Sequence, residues 1–311
     1  MQYTVGEQCV QQTQKALAIM RLNTRVHFLQ CSTVLLSAML SCLLSVLVHA
    51  AEKNQSDVKQ ITSIVDPMLN VAKKVHQIDE FKTFGGQIIK HVKVGWESYG
   101  TLNAKKDNVV LITHFFTGSS HAAGKYAPSE PQAGYWDSII GPDKAIDTNR
   151  FFVVSVDSLV NINAYDKNII TTGPASINPD TGKAYGLSFP VVTMRDFVNV
   201  QKSVLMSLGI DKLYAVAGPS MGSMQAIEWA SAYPKWVPRL ISVIGSTHAD
   251  GWTSALLEQW TLPIKLDPNW RGGNYYEHAK SEFPNKGLSA ALALITQSAL
   301  APEFFNNIND Q

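Results

Sequence analysis

Short runs of consecutive apolar residues mark the candidate strands of this chain. Five such runs follow one another along its middle part: 87–96, 109–114, 151–156, 213–217 and 240–244. Nearly continuous apolar strands are typical of a sheet that is buried on both faces. The pattern therefore predicts a mostly parallel sheet that is covered by helices.

Two stretches with helical periodicity alternate with these strands. In 191–208 the apolar residues recur at three- and four-residue spacing, and Gly209 follows as a stop signal. A second helical stretch, 223–233, follows the fourth strand. The alternation of strands and helices predicts an α/β fold with helices on both faces of the sheet.

Beyond residue 244 no further strand is predicted, and helical periodicity continues to residue 311. It is clearest in 254–260 and 287–300. Breaks are expected at Pro263, Pro268, Gly272-Gly273, Pro284 and Pro302. We interpret 250–311 as a helical lid over the core 51–249, with an incomplete C-terminus and the last strands of the sheet missing.

The first fifty residues have the pattern of an export signal. Lys15, Arg21 and Arg25 precede an apolar run, 34–48, which ends close to the small residue Ala50. This run is shorter than the roughly 20 residues that cross a bilayer, so a retained anchor is the weaker alternative. We expect cleavage near Ala50 and a periplasmic or secreted protein, with the membrane contacted only through the signal; Met20 offers an alternative start.

Composition narrows the range of partners. The formal net charge is +1, and all three cysteines (Cys9, Cys31 and Cys42) lie in the predicted signal segment. A near-neutral chain argues against nucleic acid as a partner. The mature chain would contain no disulfide and no cysteine metal site, and we predict neither a metal nor a cofactor.

The strongest chemical signal is Gly218-Pro219-Ser220-Met221-Gly222, between a predicted strand and a predicted helix. A serine on such a sharp turn holds its hydroxyl clear of the backbone, and small residues on either side let strand and helix pass closely. Ser220 is therefore a candidate nucleophile. The backbone N–H of Met221 would face the oxyanion of an attacked carbonyl.

Several motifs occur in an order that resembles the homoserine O-acetyltransferase family of α/β-hydrolase-fold acyltransferases. They are Tyr99-Gly100-Thr101-Leu102-Asn103, His114-Phe115-Phe116-Thr117-Gly118, Gly134-Tyr135-Trp136-Asp137, Ile140-Gly141-Pro142, the segment 172–179, and Ser220-Met221-Gly222-Ser223-Met224-Gln225-Ala226. The resemblance implies a ping-pong mechanism, in which a serine takes an acyl group from a thioester and passes it to a hydroxyl. It also implies lid-mediated homodimers, and acyl-CoA enters only as a substrate.

By position, Ser220 resembles the nucleophile of this family. Phe116 stands where the family usually has leucine, and its backbone N–H would be the second oxyanion donor beside Met221. For His114 and His121 we favour structural roles, because the catalytic histidine of this fold follows the serine in sequence.

The first of two departures from the family pattern concerns the homoserine substrate. Leu292 stands where the family carries a lid arginine thought to hold the homoserine carboxylate, and Trp260-Thr261 replaces an expected Gln-Arg pair. Leucine cannot make the two parallel hydrogen bonds of a guanidinium. We therefore expect an exported hydrolase or acyltransferase that acts on a small ester or thioester with water or another acceptor.

The second departure concerns the catalytic base. After Ser220 the sequence contains two histidines, His248 and His278, and we interpret them as a lid-entrance residue and a solvated surface residue. A serine needs a histidine to take its proton and an acid to orient that histidine. An inactive remnant or binding protein that lacks both groups is therefore the alternative hypothesis, whether the chain is a fragment, a frameshift product or a pseudoenzyme.

Overall fold

The computed structural model describes residue 68 and residues 70–309. Its strands are β1 (Lys74–Lys82), β2 (Ile88–Tyr99), β3 (Val109–Ile112), β4 (Ile140–Gly141), β5 (Ile146–Asp147), β6 (Phe152–Val156), β7 (Ala215–Pro219) and β8 (Leu240–Val243). Its α-helices are α1 (Met194–Ser207), α2 (Met221–Ala232), α3 (Gly251–Leu266), α4 (Asn285–Ala299) and α5 (Pro302–Asn309). Short 3₁₀ helices lie at Gly186–Ser188, Pro268–Gly273 and Lys280–Glu282.

Six strands form one sheet in the order β1-β2-β6-β3-β7-β8. The strands β6, β3, β7 and β8 are parallel, whereas β1 and β2 run antiparallel at one edge. The predicted α/β fold with a mostly parallel sheet is therefore confirmed. Parallel neighbours present their carboxyl ends at one edge of the sheet, where α/β proteins bind their ligands.

The core explains why the central strands are continuous apolar runs. All four residues of β3 and all five of β7 are buried. Side chains of α1 and α2, including Val204 and Trp229, pack into the same cluster. By contrast, β8 lies at the sheet edge of the described chain, with Leu240 and Ile241 42% and 49% exposed.

Helix α1 shows how local sequence sets the bounds of an element. At its start the carboxylate of Asp196 accepts the backbone N–H of Thr193 at 2.7 Å, which satisfies a free N-terminal donor. At its end Gly209 adopts a positive φ of 69°, and the N–H of Ile210 donates to the carbonyl of Leu205 at 3.0 Å. This is the glycine-terminated ending expected from the sequence.

Two details of the sequence-based interpretation are wrong. Helix α3 continues through Pro263 and does not break there. It is packed closely against α4 at this point, since a β-carbon on Gly287 would lie 2.4 Å from the Pro263 carbonyl oxygen. Strand β1 was not predicted, since its charged sequence alternates only weakly. It forms because β2 offers a long antiparallel partner.

The described residues belong to the compact unit Ile64–Gln311. The predicted export segment, its cleavage site at Ala50 and the three cysteines lie outside the described residues. Among the helices that are described, none combines the length and apolar character needed to cross a membrane.

Candidate active site

Ser220 occupies a strained turn between β7 and α2. Its backbone has φ 53° and ψ −122°, a region that residues with a side chain rarely adopt. Such strain persists only where the surrounding structure enforces it, and it clusters at functional sites. The side chain is neither fully buried nor fully exposed. The turn thus holds the hydroxyl of Ser220 at the carboxyl end of a buried strand.

The glycines on both sides of Ser220 are required by space. A β-carbon on Gly218 would lie 2.2 Å from the hydroxyl oxygen of Thr113, and one on Gly222 would lie 2.0 Å from the Thr113 carbonyl oxygen. The Thr113 hydroxyl also donates to the Gly222 carbonyl at 2.7 Å. The turn is therefore pressed against the end of β3, which explains the spacing that the sequence showed.

The end of β8 supports the turn from the other side. The N–H of Ser220 donates to the carbonyl of Val243 at 2.9 Å, and the hydroxyls of Ser223 and Ser242 lie 2.5 Å apart. Two neighbouring strands therefore fix the backbone of this serine.

The two predicted oxyanion donors come from adjacent segments. Met221 is the first residue of α2, so its N–H lies at the positive end of that helix. Phe116 lies on the loop after β3, which is the parallel neighbour of β7, and its side chain is 44% exposed. Within the described part of the chain neither amide is hydrogen-bonded to another residue. The topology places both segments at the carboxyl ends of the parallel strands, where Ser220 also lies. The catalytic roles of the three residues remain a prediction.

His114 is fully buried, and both of its ring nitrogens are engaged. Nδ1 donates to the carbonyl of Phe115 at 2.7 Å, and Nε2 accepts the N–H of Ser158 at 3.0 Å. Burial lowers the pKa of His114, which keeps the ring neutral. These contacts give His114 a structural role in joining the loop after β3 to the end of β6.

The two histidines after Ser220 lie at exposed positions. His278 is 3.4 Å from Glu282, and His248 contacts mainly its neighbours Ser246 and Thr247. His248 also lines a small cavity of about 200 Å³ together with Met224 from the first turns of α2. In the described residues neither histidine is hydrogen-bonded to Ser220, so the structure does not assemble a serine–histidine pair.

Sequence reasoning missed a buried group of charges near this edge, which we name the carboxylate–lysine cluster: Lys73, Glu97 and Asp157. Lys73 Nζ lies 2.8 Å from Glu97 and 3.3 Å from Asp157, and both carboxylates are fully buried. Charges in otherwise apolar strands are costly and therefore informative. Glu97 within β2 and Asp157 directly after β6 were the sequence signals.

The ionisation of Glu97 depends on its neighbours. Burial favours the neutral acid, but the hydrogen bond from His121 Nδ1 at 3.0 Å and the charge of Lys73 outweigh it. Together they lower the pKa of Glu97 to about 2. His121 thus has a structural partner in this cluster. No group of three or more residues suited to holding a metal occurs among the described residues.

Comparison with known proteins extends this description. Residues 109–306 match the family model of the alpha/beta hydrolase fold. The chain is 43% identical over 222 residues to the homoserine O-acetyltransferase of Methanococcoides burtonii. The aligned residues cover 71% of this chain and 44% of that protein. The chain spans about half the length of the curated relatives it matches.

Solved structures give the same picture of the fold. The crystal structure of esterase E22 superposes with a TM-score of 0.75 at 66% identity, over 77% of this chain and 64% of that one. Homoserine O-acetyltransferase from Bacillus anthracis superposes with a TM-score of 0.73 at 42% identity, over 76% and 62%.

Proposed function

Because the chain belongs to the α/β-hydrolase fold family, in which it resembles homoserine O-acetyltransferases, we propose that it performs acyl chemistry through Ser220. The observation that carries this proposal is the strained backbone of Ser220 at the start of α2. A strained serine between a buried strand and a helix is the arrangement that presents a hydroxyl to a bound carbonyl.

The proposed reaction has two steps. The Ser220 hydroxyl oxygen attacks the carbonyl carbon of an ester or thioester, the bond to the leaving group breaks, and the hydroxyl proton departs with the alcohol or thiol to give an acyl-serine. The N–H groups of Phe116 and Met221 would stabilise the negative oxygen that forms during the attack. An acceptor hydroxyl then attacks the acyl carbon, the bond from that carbon to the serine oxygen breaks, and the acceptor's proton passes to the serine oxygen, which restores Ser220.

For the acceptor we propose water. Leu292 lies on α4 with 47% of its surface exposed, at the position where a carboxylate-binding arginine would be expected. An aliphatic side chain offers no partner to the carboxylate of homoserine. The 66% identity to an esterase supports the same choice. We also propose that the protein is exported, on the pattern of residues 1–50.

The test measures hydrolysis of p-nitrophenyl acetate and consumption of acetyl-CoA, each with and without homoserine. We expect ester hydrolysis that falls by at least ~10³-fold in Ser220→Ala and is unchanged in Ser254→Ala, an exposed serine of α3. Equal rates in the wild type and Ser220→Ala would refute the role of Ser220. Formation of O-acetylhomoserine would refute the proposed acceptor.

A second candidate function is a non-catalytic pocket that binds an acyl compound. It is favoured by one observation, that neither His248 nor His278 is hydrogen-bonded to Ser220 in the described residues. A protein of this kind would bind a non-hydrolysable ester analogue in calorimetry while the hydrolysis assay stays at background. The serine mechanism predicts turnover above background in the same preparation.

A further inference from the structure

The contacts of the carboxylate–lysine cluster converge on one short segment of the loop after β3, residues 120–123. Asp157 Oδ1 accepts the N–H of Ser120 at 2.6 Å, and Lys73 Nζ donates to the Ser120 hydroxyl at 2.5 Å. Asp157 Oδ2 also accepts the N–H of Ile170 at 3.1 Å. The cluster therefore ties the backbone of this loop to the carboxyl end of β6.

Glu97 reaches the same segment through two side chains. It accepts the hydroxyl of Tyr99 at 2.8 Å and the ring N–H of His121 at 3.0 Å. The Tyr99 oxygen in turn accepts the N–H groups of Ala122 and Ala123 at 2.9 and 3.1 Å. Burial and the charge of Glu97 raise the pKa of Tyr99, so the hydroxyl remains available as a donor.

The first part of the loop is held by hydrogen bonds from residues that follow Asp157 in the chain. Asn161 donates to the carbonyl of Gly118 at 2.9 Å, and Asn163 donates to the carbonyl of Thr117 at 3.0 Å. These two carbonyls lie one and two residues after Phe116. The backbone next to Phe116 is thus held by Asn161 and Asn163, on the same chain segment that begins at Asp157.

The sequence leaves room for the buried carboxylate. A β-carbon on Gly95 of β2 would lie 2.2 Å from Asp157 Oδ2, so the carboxylate occupies the space that a larger residue would fill. Buried ion pairs add little net stability relative to an apolar core, but removing one partner is costly. A gain in stability over an apolar core therefore explains this cluster poorly, whereas a role in fixing one loop conformation fits its contacts.

We propose that Lys73, Glu97 and Asp157 are positioning residues that fix the loop 114–123, so that the N–H of Phe116 is held at the site of Ser220. This inference rests on the proposed function for its effect on the reaction rate. The placement of the loop itself can be measured separately. A displacement of about 1 Å in such a donor costs on the order of 10²-fold in rate.

The experiment compares the wild type with Asp157→Asn, which keeps the shape of the side chain and removes its charge. Asp180→Asn is the matched control, because Asp180 forms an exposed ion pair with Lys90 at 2.6 Å. Hydrogen exchange is followed by mass spectrometry in peptides that cover 114–123 and β7. A fluorophosphonate probe is used at several concentrations, so that the maximal labelling rate and the half-saturating concentration are obtained separately.

We expect exchange in 114–123 to accelerate about tenfold or more in Asp157→Asn, while exchange in β7 stays as in the wild type. The maximal labelling rate of Asp157→Asn should fall about 10- to 100-fold, while its half-saturating concentration stays within about twofold of the wild-type value. Asp180→Asn should match the wild type in both quantities. Unchanged exchange in the loop would overturn the proposal, and so would a loosened loop that labels at the wild-type rate.

A second variant keeps the test decisive if Asp157→Asn does not fold. Glu97→Gln preserves volume and removes the charge that holds the Tyr99 hydroxyl, whose oxygen accepts the N–H groups of Ala122 and Ala123. It should accelerate exchange at these two amides in a folded protein, and protection at the wild-type level would overturn the proposal. If the wild type does not react with the probe, the proposed function fails, and loop exchange alone decides whether the cluster holds the loop.

Discussion

The backbone strain at Ser220 leads to a prediction that separates chemistry from stability. At φ 53° and ψ −122°, a residue with a β-carbon carries about 1–3 kcal/mol of strain, and glycine does not. Ser220→Gly should release this strain and lose about 0.4–1 kcal/mol through the greater freedom of the unfolded chain. The net result is a gain of about 1 kcal/mol in the free energy of unfolding, together with loss of ester hydrolysis.

Thermal unfolding measured by calorimetry or circular dichroism tests this prediction. For a domain of this size about 1 kcal/mol raises the midpoint by roughly 2–4 °C. Ser220→Ala removes the same hydroxyl but keeps the β-carbon, so its midpoint should equal that of the wild type. Ser254 lies in the regular helix α3, so Ser254→Gly should lower the free energy of unfolding by about 0.5 kcal/mol.

The result that refutes the strain argument is a midpoint of Ser220→Gly at or below that of Ser220→Ala. Such a result would mean that the turn is no more demanding than an ordinary loop. The observed φ and ψ would then carry no information about function.

Three further predictions follow from the site. Gly222→Ala should destabilise the protein by about 3 kcal/mol in urea unfolding, because its methyl group would lie 2.0 Å from the Thr113 carbonyl oxygen; Gly251→Ala, with open space around it, should not destabilise. Glu97 has a pKa of about 2 in the folded protein against an ordinary 4.5, so its ionised form adds about 3 kcal/mol to the free energy of unfolding above pH 4.5. This contribution is lost as the pH falls toward 2. Glu97→Gln should therefore flatten the acid limb of unfolding free energy against pH, and an unchanged limb would contradict the assignment. Homoserine at millimolar concentration should leave the rate of acetyl-CoA consumption unchanged, and an increase would show that it is an acceptor.

Much of the fold could be predicted because the central strands are buried on both faces. Apolar runs such as Val109–Ile112 have no other low-energy location, and every residue of that strand is buried. The turn at Ser220 could also be predicted, because the two glycines that flank it are dictated by close contacts with the hydroxyl and the carbonyl oxygen of Thr113. In both cases the sequence signal and the packing constraint are the same physical fact.

Other features could not be predicted because they depend on partners distant in sequence. At Pro263, where α3 continues, the helix is packed closely against α4, and β1 is paired with β2 along its length. The carboxylate–lysine cluster joins Lys73, Glu97 and Asp157, which are separated by 24 and 60 positions in the numbering. Glu97 and Asp157 each stand out as a charge in or beside an apolar strand, but the sequence does not pair them, and only the folded sheet brings the three residues together.

Ser220 is expected to present a reactive hydroxyl at the carboxyl ends of the parallel strands. The most direct test is to treat the natively folded protein with a fluorophosphonate and locate the adduct by peptide mass spectrometry. One adduct is expected, on Ser220, and it should not form on protein that is denatured before treatment or on Ser220→Ala. A folded protein that carries no adduct, or carries it on another serine, would contradict the claim.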